Sequence, residues 1–217
     1  LTVIHTPNRG PSSARNTAIA LARAPLIFNL DADDKIAPTL LEKAFVVFTA
    51  NPTLGIVYSE VQYFGARSGR FELPPYSLPA MLNDNVIHSS ALFQKADWER
   101  VGGYSCELVH ALEDYDFWLS ILEQGRDVFK IPEDLIYYRT YGNECDCRSG
   151  RTKKHRRKSI ESLQAIFRRH TQLFKACPDE YERRTNYIAR WERETVAVQW
   201  LKQSYFTLRR VISLRRR

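Results

Sequence analysis

The residue types best suited to chemistry stand together at Phe28-Asn29-Leu30-Asp31-Ala32-Asp33-Asp34, where an apolar run from Pro25 to Leu30 ends in three carboxylates. A short apolar run bounded by breakers reads as a buried strand. The acids then fall at its C-terminal end, the edge at which open α/β sheets bind ligands. Asp31 and Asp33 alternate, so an extended backbone would point both carboxylates the same way. Two such groups side by side repel unless a cation lies between them. Hard divalent ions, Mg²⁺ or Mn²⁺, take oxygen ligands and keep positions open for substrate phosphates. The chemistry suggested is a metal–diphosphate site. The structural alternative makes Asp34 the N-cap of a helix that begins at Pro38.

A second acidic cluster, Glu113-Asp114-Tyr115-Asp116, opens the strongest helical stretch of the middle region, Leu112 to Gln124. Acids in a first turn complement the helix dipole, which is the structural reading. The surroundings favour a functional one. Gly102-Gly103-Tyr104 precedes the cluster as a flexible loop, and Phe117-Trp118 follows as an aromatic wall. A carboxylate beside such a loop suits a general base, and a Trp beside it suits stacking on the apolar face of a sugar. His88 either faces an acceptor or is a hydrogen-bonded structural histidine; His110 either tunes Asp114 or lies on a loop surface.

These residues need a scaffold, and the pattern supplies one. Leu1 to Thr6 reads as a strand, Pro7 to Pro11 as a loop, and Ser12 or Ser13 as the cap of a helix reaching about Arg23, with Ala14, Ala18, Leu21 and Ala22 inward. Leu26 to Leu30 is the next strand. A helix follows from about Pro38 to Ala50, with Leu40, Leu41, Ala44, Phe45 and Phe48 inward, and Leu54 to Phe64 is a long strand. This alternation predicts an α/β fold with a mostly parallel, twisted sheet flanked by helices. Gly65 to Pro79 reads as loop, Val86 to Phe93 as a strand, and Ala96 to Val101 as a short helix ended by Gly102-Gly103. In the Leu112 helix, Phe117, Ile121 and Trp118 face the core. Val128 to Ile131 and Leu135 to Arg139 are two short strands.

In order and spacing, Asn8-x-Gly10-x-Ser12-x-Ala14-Arg15-Asn16, Phe28-x-Leu30-Asp31-Ala32-Asp33-Asp34, Val101-Gly102-Gly103-Tyr104, Glu113-Asp114-Tyr115-Asp116-Phe117-Trp118 and Tyr138-Arg139 resemble family 2 glycosyltransferases with the GT-A fold, a Rossmann-like α/β architecture. The resemblance covers about Leu1 to Asn143. It implies inverting transfer of a sugar from a nucleotide-diphosphate donor to a hydroxyl acceptor. On that resemblance Asn8, Arg15 and Asp31 lie on the donor side, and Asp33 with Asp31 ligates Mg²⁺ or Mn²⁺. Asp114 takes the acceptor proton, and His88, Gly103, Glu113 and Trp118 line the acceptor side. Two departures stand out. The family begins with a strand, a helix and a second strand carrying much of the nucleoside pocket, whereas this sequence opens at what resembles the third strand. The family often shows Tyr-Arg-x-His, whose His completes the metal site; here Tyr138-Arg139-Thr140-Tyr141 puts a poor ligand there.

Composition narrows the class. The 217 residues are 44% hydrophobic and 26% charged, which is globular, and no apolar run approaches the roughly 20 residues that span a bilayer. Of Cys106, Cys145, Cys147 and Cys177 only Cys145 and Cys147 are close; with His155 they are zinc-ligand types, but no second pair matches a zinc spacing. A reduced, cytoplasmic compartment is the simplest reading. The positive surplus of +7 concentrates after Arg148, in a basic run from Arg151 to Lys158 and in Arg215-Arg216-Arg217. Ile160, Leu163, Ile166, Phe167 and Phe174 recur at helical spacing. A break at Cys177-Pro178 precedes a second helical pattern through Tyr181, Ile188, Trp191, Val198, Leu201, Tyr205, Leu208 and Ile212. The resemblance and this change in composition together imply a GT-A portion, residues 1–148, incomplete at its N-terminal side, and a basic helical extension, residues 149–217. Glycan or lipid-linked acceptors would suit contact of the basic helices with the inner face of the cell membrane; the structural alternative is a solvated helical extension packing on the domain. Two rivals remain: a non-catalytic relative, and a nucleic-acid module built on the basic tail, which predicts salt-sensitive duplex binding.

Overall fold

The computed structural model describes residues 1–108, 112–142 and 153–193. Its centre is β3 (Leu54–Gly65), a long strand, and the sheet is built outward from it. In chain order the elements are α1 (Pro11–Leu21), β1 (Leu26–Phe28), β2 (Lys35–Ile36), α2 (Leu40–Ala50), β3, β4 (Gly69–Phe71), α3 (Leu78–Asn83), β5 (Leu92–Gln94), α4 (Lys95–Val101), α5 (Glu113–Leu122), β6 (Asp127–Thr140), α6 (Lys153–Arg169) and α7 (Thr171–Lys175). A further helix, α8, runs over 178–193. The strand order is β1-β5-β3-β6-β2, with β4 hung on β3.

Both faces of the sheet are covered, and the pleat of β3 assigns its side chains accordingly. Ile56 and Tyr58 join the buried cluster of Phe93, Phe117, Trp118 and Ile121 beneath α5. Leu54, Val57 and Val61 join Leu40, Ala44 and Phe48 of α2, with Ile131 and Ile136 of β6. Residues that the pattern placed inward on α2 split: Leu40, Ala44 and Phe48 are buried, whereas Leu41 and Phe45 are exposed. On α1 the buried side chains are Ser12 and Ile19, and Leu21 faces solvent. Its N-cap is Gly10, with Pro11 in the first turn, so neither Ser12 nor Ser13 caps it. The inward stripe is thus turned from the expected one, because α1 packs through Ile19 and uses Arg15 and Asn16 for polar contacts described below.

Several strand expectations change. The sheet is mixed rather than mostly parallel: only β3 with β6 is parallel, and the other four pairings are antiparallel. The parallel pair is the one whose connection carries α5 across the sheet, as a parallel crossover requires. Elsewhere β3 turns straight back into β4, inside the stretch expected to be loop. Residues 84–91 are irregular, and only β5 is strand. The two strands expected at 128–139 are one, β6. Ser59 pairs with Ile131 and Glu60 with Asp134, so Pro132 and Glu133 bulge out between them; Pro132 has no N–H to give the ladder. Residues 1–6 are not a strand. Leu1, Val3 and Ile4 are exposed and no described strand pairs with them, so their backbone has no ladder to join.

The C-terminal helices share the main core. Ile166 and Phe174 are buried within it, and Leu163, Phe167, Leu173 and Tyr181 pack against it. Cys145, Asp146, Cys147, Val198, Leu201, Tyr205, Leu208, Ile212 and the terminal arginines lie outside the described residues, as do His110 and the His155 side chain. Among the described residues no helix is long and apolar enough to cross a membrane.

A buried polar joint ties these helices to α5. His170 Nε2 lies 3.1 Å from Asp116 Oδ1 and its Nδ1 3.1 Å from Glu123 Oε1, while Arg169 lies 3.1 Å from Asp116 Oδ2. Burial alone would lower the His170 pKa, but the Asp116 and Glu123 contacts outweigh it and the pKa is raised. The unfolded chain has the ordinary histidine value, about 6.5. The stabilisation from His170 is therefore complete below about pH 6.5 and fades as pH rises through the raised folded value. The melting-temperature gap between parent and His170→Gln should be widest below neutrality and shrink toward pH 9. A gap that widened with pH would refute the assignment.

Candidate functional site

The C-terminal end of β1 leads into the acids, as the sequence indicated, but the backbone there turns rather than staying extended. The Asp34 N–H donates to the Asp31 carbonyl at 3.0 Å. Asp31 and Asp33 therefore meet different surroundings. Asp31 Oδ1 accepts from Arg15 Nη2 at 3.0 Å, and Arg15 Nη1 donates to Glu113 Oε1 at 2.8 Å. One guanidinium thus links the acid after β1 to the first turn of α5. Burial works against the Arg15 charge, but Tyr104, Asp31 and Glu113 more than offset it and raise its pKa. Arg15 stays cationic.

Asp33 is exposed on the other side of the turn. Its carbonyl accepts from Arg139 Nε at 2.8 Å, and its Oδ2 accepts from the Tyr141 hydroxyl at 3.3 Å. The Arg139 guanidinium lies 4.5 Å from the centre of the Phe64 ring. Asp34 does not cap α2, whose N-cap position is Thr39. Asp34 is buried and its Oδ1 accepts from the Arg139 backbone N–H at 2.9 Å, stitching the acidic turn to β6.

Asp114, next to Glu113, sits half-buried in the first turn of α5. Its Oδ2 accepts from Asn85 Nδ2 at 3.2 Å. A cleft of about 320 Å³ opens here, lined by Asp114, Asn85, His88, Tyr63, Phe71 and Tyr138 among others. The structure thus brings His88 and Asp114 to one cavity. His88 Nδ1 accepts from the Ser90 N–H at 3.1 Å, which leaves Nε2 to carry the proton of the neutral ring. The ring packs edge-on against Phe71 and Tyr138.

The glycine loop is held by a residue whose role was not foreseen. Asn16 Nδ2 donates to the Tyr104 carbonyl at 2.8 Å, and Asn16 Oδ1 accepts from the Tyr104 N–H at 2.9 Å and from Trp98 Nε1 at 3.0 Å. Gly103, at φ 78°, leaves no room for a side chain, since a Cβ would lie 2.8 Å from Asn16 Oδ1. Gly103 therefore shapes the loop by close approach. The Tyr104 hydroxyl accepts from Asn29 Nδ2, and burial pushes its pKa up. Asn16 had one signal in the sequence: asparagine is a weak helix former, so one inside a helix calls for a tertiary reason.

One expected site residue, Trp118, is placed away from the cleft, and Asn8 stays in the loop before α1. Trp118 is fully buried, edge-on to Phe93 and tilted against Phe117, and cannot stack on a bound sugar. It packs in the cluster with Ile56, Tyr58 and Phe93, which bears out the core position read from the helical pattern and not the acceptor-side position that the resemblance implied. Asn8 is exposed in the loop before α1, its Oδ1 accepting from the Gly10 N–H at 3.1 Å.

A divalent cation fits this donor set modestly. Mg²⁺ needs only one or two carboxylates when substrate oxygens and waters complete its shell. The exposed carboxylate of Asp33 supplies one, and Asp31, beside it, also faces Arg15. Among the described residues no three His, Cys, Asp or Glu side chains converge.

Residues 1–112 match the model of "Glycosyl transferase family 2". The chain belongs to glycosyl transferase family 2. This family 2 chain is 27% identical over 157 residues to a chondroitin synthase of Pasteurella multocida, covering 70% of this chain and 16% of that protein. It is 28% identical to a hyaluronan synthase of Pasteurella multocida, covering 63% and 14% respectively. It thus spans about a sixth of the length of these relatives. Its fold is that of GT-A glycosyltransferases. It resembles TarS of S. aureus solved in complex with UDP-GlcNAc, with TM-score 0.57, 16% identity, and 75% and 47% of the two chains covered. It also resembles the mannosyltransferase PcManGT of Pyrobaculum calidifontis in complex with GDP-Man and Mn²⁺, with TM-score 0.54, 19% identity, and 95% and 62% covered.

Proposed function

We propose that this family 2 chain carries the acceptor side and part of the donor side of an inverting glycosyltransferase, which moves a sugar from a nucleotide diphosphate onto a hydroxyl of a glycan. The observation that carries the reading is the Arg15 bridge. It joins Asp31, at the end of β1, to Glu113, whose neighbour Asp114 opens into the cleft beside His88. Donor and acceptor groups are thereby held at a fixed separation, as a direct displacement requires.

In the reaction, Asp114 accepts the proton of the acceptor hydroxyl. The oxygen then attacks the anomeric carbon from the face opposite the diphosphate, whose bond to that carbon breaks, and configuration inverts. Asn85 keeps the Asp114 carboxylate oriented, and Arg15 keeps Asp31 and Glu113 in register. When bound, a divalent cation at Asp33 and Asp31 would neutralise charge on the departing diphosphate. The names of the relatives support a polymeric glycan as product class, and the basic helix α6 suits contact with an anionic membrane surface.

Calorimetry tests the donor side. Asp33→Ala should remove the Mn²⁺-dependent part of UDP-sugar binding. Retained metal-dependent affinity would remove Asp33 from the reading.

A further inference from the structure

We propose that a second cleft, on the far side of the segment 83–85, binds sugar units of the acceptor chain behind the one that reacts. The proposal rests on the glycosyl-transfer reading above and extends its acceptor site. The second cleft is as large as the first, about 320 Å³, and lies where the end of α3 meets α6 and α8. Its lining includes Asn83, Asp84, Glu180, Arg183 and Tyr187.

Three observations carry it. The first is position. Asp84 lines the second cleft and Asn85 the first, where it donates to Asp114. Asp84 is extended, at φ −157° and ψ 161°, and consecutive side chains of an extended backbone point to opposite sides. The two clefts are therefore separated by a single strand of backbone, and residues 83–85 span at most roughly 10 Å. A chain whose reacting end lies at Asp114 would cross this ridge within a few sugar units.

The second is rigidity. Arg184 Nη2 donates to the carbonyls of Leu82 and Asn83 at 2.9 and 2.8 Å, pinning α8 to the end of α3. The Tyr115 hydroxyl donates to the Met81 carbonyl at 2.8 Å, tying the same segment to α5, which carries Asp114. The wall between the clefts is thus anchored from both sides.

The third is chemistry. Sugar hydroxyls both donate and accept, so they are matched by carboxylates, amides and guanidinium groups set in one wall. Glu180, Asn83 and Arg183 form such a set, with Arg183 Nη1 lying 3.2 Å from Glu180 Oε1 and 3.4 Å from Asn83 Oδ1. Tyr187, 44% exposed, adds a ring with an apolar face and a polar tip. Binding energy gathered here, away from the reacting hydroxyl, is available to orient that hydroxyl at Asp114.

The test compares disaccharide and octasaccharide fragments of chondroitin and of hyaluronan by calorimetry, using the parent chain, Arg183→Ala and Tyr187→Ala. The Arg183 side chain is 60% exposed and Tyr187 is exposed as well, so both variants should fold. The octasaccharide of at least one polymer should bind the parent more tightly than its disaccharide. Each variant should weaken that octasaccharide about tenfold while leaving the disaccharide unchanged. A parent that binds long fragments no better than short ones overturns the proposal, as do variants that keep the full advantage of length. Failure of the transfer reading shows elsewhere, in undiminished turnover by Asp114→Asn.

Discussion

Asp114→Asn is expected to abolish nearly all sugar transfer while leaving the fold and donor binding intact. As a structural residue Asp114 contributes little. The change keeps the shape of the side chain and an oxygen to accept from Asn85, and the lost interaction with the helix dipole costs about 0.3–1 kcal/mol. In its proposed role as general base it would be indispensable, since an amide cannot take the acceptor proton. Loss of such a group costs on the order of 10²–10⁴ in rate. Release of the nucleoside diphosphate in the presence of acceptor, measured beside the melting temperature, separates the two contributions. A variant that keeps most of its turnover moves the base elsewhere. Glu113 is then a poor substitute because Arg15 holds it, and Asp116 because it is buried against Arg169 and His170.

Asp97→Ala should produce a large loss of stability although it lies outside the cleft. The Asp97 carboxylate is fully buried, and its Oδ1 accepts from Arg126 Nη2 at 2.8 Å, Arg126 Nε at 3.1 Å and Arg100 Nη1 at 2.6 Å. It joins α4 to the turn that enters β6. Removing it strands the Arg126 guanidinium, which is largely buried and also donates to the Pro52 carbonyl at 3.2 Å. Breaking one side of a buried ion pair costs about 3–5 kcal/mol. For a chain of this size that corresponds to a fall of roughly 6–20 °C in melting temperature. The solvent-exposed Lys43–Glu133 pair is a useful contrast, because Glu133→Ala should cost at most about 1 kcal/mol. Equal effects of the two substitutions on thermal unfolding would show that burial does not set the worth of the Asp97 contacts.

The division between what was readable beforehand and what was not follows the range of the forces involved. Short-range features were legible. The strand leading into Asp31, the stop at Gly102, where a φ of 82° suits glycine, and the helix opened by Glu113 and Asp114 all depend on neighbours a few residues away. The ordered motifs likewise announced the family, since each is a local pattern. Partners distant in sequence were not legible. Arg15 meets a carboxylate 98 positions away, Asn16 clamps a loop 88 positions away, and Tyr141 reaches Asp33 across 108. Nor did the sequence decide between the two places it offered Trp118, the core by helical pattern and the acceptor side by resemblance, because all of Tyr115 to Leu122 is buried and only the packing around α5 shows what covers each face. Strand direction escaped for a related reason. Alternating apolar runs show that strands exist, but the antiparallel pairing of β1 with β5 and of β2 with β6 joins segments far apart in the chain. Apolar runs and turn residues therefore marked most of the elements of this protein, and the ordered motifs its family. Only tertiary packing, which brings distant charges and amides within hydrogen-bond reach, decided which groups share the cleft and which are committed to holding it.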